Sequence, residues 1–425
     1  MEFKLPYGRG HEILTIADDK PVQCLVGVVY DAIPKKAAEL LVEEAMKKPY
    51  GGVSLQEMAQ SAKSAVIICS DHTRPVPSKA IIPPMLKELR KGNPNIEITL
   101  LIATGFHRLT TKDELIAKFG SDIVECENIV VHDSSDDKAL VNLGELPSGA
   151  QLWINKLAVE CDLLLAEGFI EPHFFAGFSG GRKSVLPGIA GRQTVLGNHC
   201  GAFIGHPCAR TGILENNPLH VDMCAATHMA GLKYIVNVVI NGKKEILRAF
   251  AGNPEEAHKA GCDYLRDLAC VKPEKKADII ITSNGGYPLD QNIYQAVKCM
   301  TAAESAAAEN AVIIAAAFCE DGTGSEDFYR DLADCSGPDE LYKRLAETPM
   351  DKTRPDQWES QVLARVMIKH KIIFVCNEKM RPYAEKMKFL TACNLNEAYN
   401  MAIGLKGENA ALTIIPDGIS VIVEQ

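Results

Sequence analysis

The sequence predicts an α/β protein made of two mixed α/β domains, with the active site expected in the cleft between them. Three observations carry that expectation. Apolar, β-branched runs at 65–69, 96–103 and 162–166 each break directly into a polar or glycine-rich loop. A helix-like stretch, Pro254–Ala269, precedes a charged, proline-bearing segment that reads as a domain boundary. The 425 residues also exceed what one hydrophobic core usually fills, so two domains are the natural reading.

In chain order, Ala65–Cys69 leads into Asp71-His72-Thr73-Arg74-Pro75, and Ile96–Ala103 leads into Thr104-Gly105-Phe106-His107-Arg108. Asp162–Ala166 leads into the segment Glu171 to Lys183, which reads EPHFFAGFSGGRK. In open α/β sheets ligands sit beyond the carboxyl ends of the strands, so Arg74, His107 and His173 are expected to converge there. Pro254–Ala269 closes a first domain spanning 1–270, and the charged, proline-bearing stretch 271–276 marks the boundary. A second domain, 274–409, opens with a strand at Ala277–Thr282 and a turn at Asn284–Pro288. Asp290 is expected to cap a helix on which Tyr294, Gln295 and Lys298 share one face, because residues three and four apart are helical neighbours. The alanine-rich stretch Ala302–Ala311 reads as a buried helix, and Ala311–Ala317, Lys371–Val375 and Ala411–Ile415 read as strands. The final strand, about 410–425, is expected to return to the first domain.

Composition narrows the function. A formal charge of −10 with 47% hydrophobic and 24% charged residues is globular, and it argues against a nucleic-acid face or an anionic membrane surface. Anionic small substrates would need local cations. The N-terminus lacks an apolar signal core and runs such as Ala311–Cys319 are too short to span a bilayer, so a cytoplasmic location is expected. Fourteen cysteines without a C-x-x-C pair, several inside apolar strands such as Cys69 and Cys376, suit reduced thiols.

The segment Glu171–Lys183 is the densest chemistry in the chain. Gly177, Gly180 and Gly181 would let backbone N–H groups turn toward an anion, Arg182 and Lys183 would add positive charge, and His173 would bring the side-chain type that can trade protons near neutral pH. A phosphate-bearing cofactor beside an acid/base group is the economical reading; a glycine turn with two solvated cations is the plain one. The P-loop pattern G-x-x-x-x-G-K-[ST] fails, since from Gly177 the sixth place is Arg182. That weakens a nucleotide-binding protein. His199-Cys200 and His206-Pro207-Cys208 raise a zinc-dependent hydrolase, yet H-E-x-x-H is absent and adjacent side chains rarely point at one metal. Gly8-Arg9-Gly10 continues to Ile13 where a dinucleotide fingerprint needs glycine.

Read together, Ser70–Pro75, Thr104–Arg108, Glu171–Lys183, Asn198–Gly201, Tyr294–Lys298 and Asp356–Trp358 resemble in order the motifs of the lactate racemases that use a nickel-pincer nucleotide, with their 2-hydroxy-acid racemase and epimerase relatives. The resemblance spans most of the chain. It implies an isomerase that interconverts the enantiomers of a 2-hydroxy acid, lactate first, with malate, longer aliphatic or aromatic hydroxy acids and sugar acids as alternatives. It implies a Ni(II) pyridinium-3,5-bisthiocarboxylic acid mononucleotide joined covalently to Lys183, with His199 as the metal ligand, and cofactor-biosynthesis enzymes as partners. His107 and His173 are then the two acid/base groups. Arg74, Gln295, Lys298 and Tyr294 would bind substrate. Asp71, His72, Thr73, Arg74 and Gly177 match cofactor-binding positions. Trp358 would pack near the cofactor, and a core tryptophan is the competing reading.

Overall fold

The structure is a computed structural model and describes residues 1–29 and 31–424. The chain forms two units. One comprises Val28–Asn198 and Ile213–Leu268; the other comprises Met1–Gly27, His199–Gly212 and the chain from Ala269 onward.

In the first unit a six-stranded sheet runs in the order Ile246–Gly252, Leu232–Ile240, Leu163–Phe169, Ser64–Ser70, Glu97–Ala103, Asn128–Val131. Only the outermost pair, Ile246–Gly252 with Leu232–Ile240, is antiparallel. Ala65–Cys69 is buried along its whole length, as a parallel strand covered on both faces must be. One face is covered by the helices Ala38–Lys47 and Ser78–Gly92, which bring Val42, Met46, Ile81, Ile82, Met85 and Leu89 against Ile67, Leu100 and Leu165. The loops after Ser70, Ala103 and Phe169 therefore leave neighbouring strands on one edge of the sheet.

The second unit holds another six-stranded sheet, all parallel, ordered Leu390–Ala392, Lys371–Val375, Ala307–Ala316, Ala277–Ser283, Leu412–Ile415, Val22–Cys24. Two expectations change here. Leu412–Ile415 does not return to the first unit; it lies between Ala277–Ser283 and Val22–Cys24, and Ile422–Val423 pairs with Cys270–Val271. All four residues of Leu412–Ile415 are buried, and a strand that apolar needs a partner on each side. The first 27 residues also belong to this unit rather than to a domain 1–270. Their hairpin, Glu2–Tyr7 with Gly10–Thr15, points Leu5 and Leu14 into the core of Ile279, Ile314 and Val375.

The alanine-rich stretch divides. A helix covers Ile293–Ala306, and Ala307 starts the strand Ala307–Ala316, where it pairs with Ala277. Sheet pairing there overrides alanine's helix preference. The cap of that helix is Asn292, whose side chain accepts the Gln295 N–H at 2.9 Å, rather than Asp290. Asp290, 1% exposed, instead accepts the backbone N–H groups of Gly8 at 2.6 Å and Phe318 at 3.0 Å, fastening the N-terminal hairpin to the end of a core strand.

That anchor yields a stability prediction. Asp290→Ala strands two N–H groups and should destabilise the protein by about 2–4 kcal/mol, read from urea unfolding. A change under about 0.5 kcal/mol, the scale of a neutral surface substitution, would show that the hairpin is held by other contacts.

Candidate active site

Four side chains converge where the strands Ser64–Ser70 and Glu97–Ala103 end. These strands pair in register to their last residues, Ser70 against Ala103, so their loops leave side by side. His107 Nδ1 lies 2.7 Å from Asp71 Oδ2, and Thr73 Oγ1 donates to Asp71 Oδ1 at 2.7 Å. Arg74 Nη1 donates to Thr73 Oγ1 at 3.2 Å. Asp71 is 1% exposed. Burial alone would raise its carboxyl pKa, but the hydrogen bond and charge of His107, the charge of Arg74 and the Thr73 hydroxyl outweigh it and bring the value down to about 2. Asp71 is thus an ionised carboxylate, and it holds the Nδ1 side of the His107 ring.

His72 turns away from this pair, with Nδ1 3.0 Å from Thr110 Oγ1. It lines a cavity of about 510 Å³ together with Arg74, Lys79, Lys118 and Lys244, against one carboxylate, Glu114. Glu114 is itself engaged by Arg108. Four cations against one paired carboxylate give this cavity a field that draws anions.

The neighbouring strand, Leu163–Phe169, leads to the third group, His173, on the short strand Pro172–His173. His173 accepts the Ala176 N–H at Nδ1, 3.2 Å away, and its ring stands 4.5 Å from that of Phe175. Lys183 Nζ lies 6.0 Å from the centre of the same Phe175 ring, so His173 and Lys183 share one aromatic wall. The loops are linked: Gly105 donates to the Gly188 carbonyl at 3.0 Å, and Gly188 donates to the Lys183 carbonyl at 3.1 Å.

Two expectations about this loop are corrected. Of the three glycines expected to turn an N–H toward an anion, Gly181 instead donates to Asn237 Oδ1, and the N–H groups of Phe178, Ser179 and Lys183 are likewise engaged, by Ala176 O, Glu171 O and Gly180 O. The glycines serve close approach instead. All three have positive φ, and a Cβ at Gly177 would stand 2.4 Å from Ile213 O and one at Gly181 2.6 Å from the His258 ring. Arg182, expected at the surface of the site, is 4% exposed.

Sequence reasoning also missed Glu167. Its buried carboxylate, on the strand Leu163–Phe169 that leads to His173, accepts from Ser70 N at 2.8 Å, Ser70 Oγ at 2.7 Å and Ser78 Oγ at 3.2 Å. It fixes the exit of the Asp71 loop. An acidic residue inside an otherwise apolar run was the available signal.

In the other unit, His199 is 5% exposed and its ring centre lies 5.0 Å from that of Trp358. Trp358 Nε1 donates to Tyr294 OH at 2.9 Å. Tyr294, Gln295 and Lys298 lie within two turns of the helix Ile293–Ala306. Burial raises the Tyr294 hydroxyl pKa well above its ordinary value. It likewise raises that of Glu359, beside Trp358, while the Lys298 charge opposes that rise. His206 Nδ1 accepts the Cys208 N–H at 3.2 Å. Among the described residues no three His, Cys, Asp or Glu side chains are grouped to hold a metal ion, so a metal at His199 would take its other donors from a bound group. Nor is any helix among the described residues long and apolar enough to cross a membrane.

Residues 7–212 match the family model of the lactate racemase N-terminal domain, and residues 272–423 match that of the lactate racemase C-terminal domain. A lactate racemase of Thermoanaerobacterium thermosaccharolyticum is 49% identical over 422 residues, and one of Lactiplantibacillus plantarum is 48% identical over 420, each alignment covering 99% of both chains. The solved lactate racemase apoprotein of T. thermosaccharolyticum superposes with a TM-score of 0.97 at 49% identity over the whole of both chains. A Thermotoga maritima structure at 16% identity and TM-score 0.66, covering 91% of this chain and 98% of that one, shares the fold alone.

The Asp71–His107 pair sets a pH dependence. The folded carboxylate, at about 2, lies below its unfolded value near 3.9, so its stabilisation is fully present above about pH 4 and is lost as pH falls through about 2. Between pH 5 and 2 the native protein should lose about 2–3 kcal/mol more stability than Asp71→Asn, measured by urea unfolding across pH. Parallel acid limbs would contradict the pairing.

Proposed function

The chain belongs to the lactate racemase family and is an isomerase, and from that premise we propose that it interconverts D- and L-lactate by removing and returning the C2 hydrogen as hydride. The observation that carries the reading is the buried Asp71 carboxylate 2.7 Å from His107, on the strand beside the one that leads to His173.

Proton abstraction at C2 would place a second negative charge beside the substrate carboxylate. Hydride removal avoids that dianion and yields a planar 2-keto acid that can be reduced on either face. Residues of this chain fit a nickel-pincer nucleotide: Lys183 presents its amine at an aromatic wall, and His199 offers a buried imidazole, while the described residues assemble no group of three His, Cys, Asp or Glu side chains that could hold a metal by themselves. Lys183 would tether the cofactor and His199 would ligate the nickel. When bound, the cofactor would accept hydride from C2 and give it back.

The protein side chains handle the proton. His107, its Nδ1–H directed at Asp71, would take the substrate hydroxyl proton at Nε2, and the ionised Asp71 would stabilise the imidazolium that forms. His173 would serve the opposite face. Its Nδ1 accepts the Ala176 N–H, which in a neutral ring leaves the proton on Nε2, so taking up a proton there requires the ring to exchange that contact. The two histidines are inequivalent at rest. Arg74, with donors beyond the one given to Thr73, would bind the substrate carboxylate, and Lys298 and Gln295 would add charge and a hydrogen bond. Asp71 to Arg74 and Gly177 would also border the cofactor, with Trp358 beside its ligand His199. We place the reaction in the cytoplasm, where cysteines that form no disulfides stay reduced and the cofactor-building enzymes would act on this chain.

Produced with nickel and the cofactor-building enzymes, the intact protein should exceed its sequence mass by one cofactor, and Lys183→Ala should remove the increment. Fully active protein with an unmodified Lys183 would end this reading. His107→Ala and His173→Ala should each lose about 10²–10⁴-fold in both directions, followed by the chirality of lactate, because a full crossing needs an acceptor on one side and a donor on the other. Either variant keeping near-native turnover would remove that histidine from the mechanism. A panel of single-enantiomer hydroxy acids offered to the native enzyme should show lactate turned over fastest.

A further inference from the structure

We infer that Arg182 is the positioning residue of the reactive loop: its buried guanidinium ties three loop carbonyls into one geometry and so fixes where His173 and Lys183 stand. The inference rests on the roles proposed above for those two residues.

Arg182 neighbours Lys183 in sequence, yet its side chain faces inward. Nη2 donates to Ala176 O at 2.7 Å, Nη1 to Phe178 O at 2.7 Å and Gly180 O at 3.3 Å, and Nε to His220 Nδ1 at 3.0 Å. His258 Nε2 lies 3.1 Å from Nη1 and 3.0 Å from the Ser179 carbonyl. None of these partners is a carboxylate. Burial lowers the guanidinium pKa to about 10, still charged at neutral pH. Burial, with the Arg182 charge second, lowers His220 to about 4 and His258 well below its ordinary value, so both rings are neutral. They stand on the helices Pro218–Ala230 and Pro254–Ala269. The cation is wedged between two helices and the loop, and its hydrogen-bond partners are neutral.

A buried charge without a counter-charge is costly to the fold, and arginine's planar fork is suited to holding several acceptors in fixed directions. Here those acceptors are the ones that matter. Ala176 gives its carbonyl to Arg182 and its N–H to His173 Nδ1, so the guanidinium holds the residue that holds the histidine. The Gly180 carbonyl receives both Arg182 Nη1 and the Lys183 N–H at 3.1 Å. One side chain therefore braces the loop on both flanks. Lysine keeps the charge but has a single ammonium and no fork.

The test is Arg182→Lys, read by amide exchange of the cofactor-free protein and by kcat and KM of the loaded enzyme on each lactate enantiomer. A folded, cooperatively melting variant should exchange the Phe178, Ser179, Gly181 and Lys183 amides at least about tenfold faster. Its kcat should fall about 10²-fold with KM within about threefold, the signature of misplaced groups rather than lost binding. Native exchange with kcat within about twofold would overturn the inference, as would an activity loss that matches the unfolded fraction. Should Arg182→Lys not fold, His220→Ala removes the Nε acceptor, and with it the contact to Cys224 Sγ on the same helix, while leaving the three loop carbonyls on Arg182; it should speed the same amides and lower kcat, and native values for both would overturn the inference. If loaded native protein does not racemise lactate, the proposed function fails, while exchange in the cofactor-free protein still decides whether Arg182 holds the loop.

Discussion

The register of three adjacent parallel strands is the constraint on which the first unit's chemistry depends. Ser64–Ser70 lies between Glu97–Ala103 and Leu163–Phe169, with Ser70 opposite Ala103 and Ile68 opposite Ala166. A parallel sheet delivers all its carboxyl ends to one edge, so the loops carrying Asp71, His107 and His173 leave from neighbouring points without any chain having to cross another. Shifting one strand by a residue would turn buried side chains to the opposite face and separate Asp71 from His107. Glu167 guards that register from within, binding the exit of one strand from the body of the next.

Above the sheet the loops are built for rigidity. Between Ala176 and Lys183 the N–H groups of Ala176, Phe178, Ser179, Gly181 and Lys183 bond His173 Nδ1, Ala176 O, Glu171 O, Asn237 Oδ1 and Gly180 O, and three carbonyls turn toward Arg182. Its glycines are required because neighbouring backbone and side chains come closer than a Cβ permits. A loop held this way would suit the proposed reaction, whose demand would be the placement of two imidazoles about one carbon. Side chains lining the cavity at Arg74, Lys79, Lys118 and Lys244 supply an anion-drawing surface.

Much of this was legible in the sequence because it is written locally. The run Ala65–Cys69 names itself as a strand by five apolar or small residues in a row, and Pro254–Ala269 by proline at its start and helical spacing after it. Asp71, Arg74, His107, His173 and Lys183 stand out as polar groups placed just after such runs. What stayed hidden is set by distant partners. That Asp71 binds His107 depends on strand order, since 36 positions separate them. That the N-terminal hairpin and the last strand join the second unit depends on which apolar faces remain uncovered, which no local pattern states. Arg182 was misread because an arginine next to glycines and lysine looks solvated; only the two distant histidines show that it is buried. Asp290 was misplaced by two residues as a cap because Asn292, also a capping type, lay closer to the helix.

The central claim is that the C2 hydrogen moves as hydride between sites shielded from water, while His107 and His173 carry only the hydroxyl proton. The measurement that meets it most directly follows lactate deuterated at C2, supplied as one enantiomer to the cofactor-loaded enzyme in ordinary water, with the label counted in the first molecules of the opposite enantiomer. The account predicts slower turnover than with unlabelled lactate and most of the deuterium kept at C2 in the product. Complete washout of deuterium into solvent in those first product molecules would contradict it and make abstraction of a C2 proton the chemistry of this site.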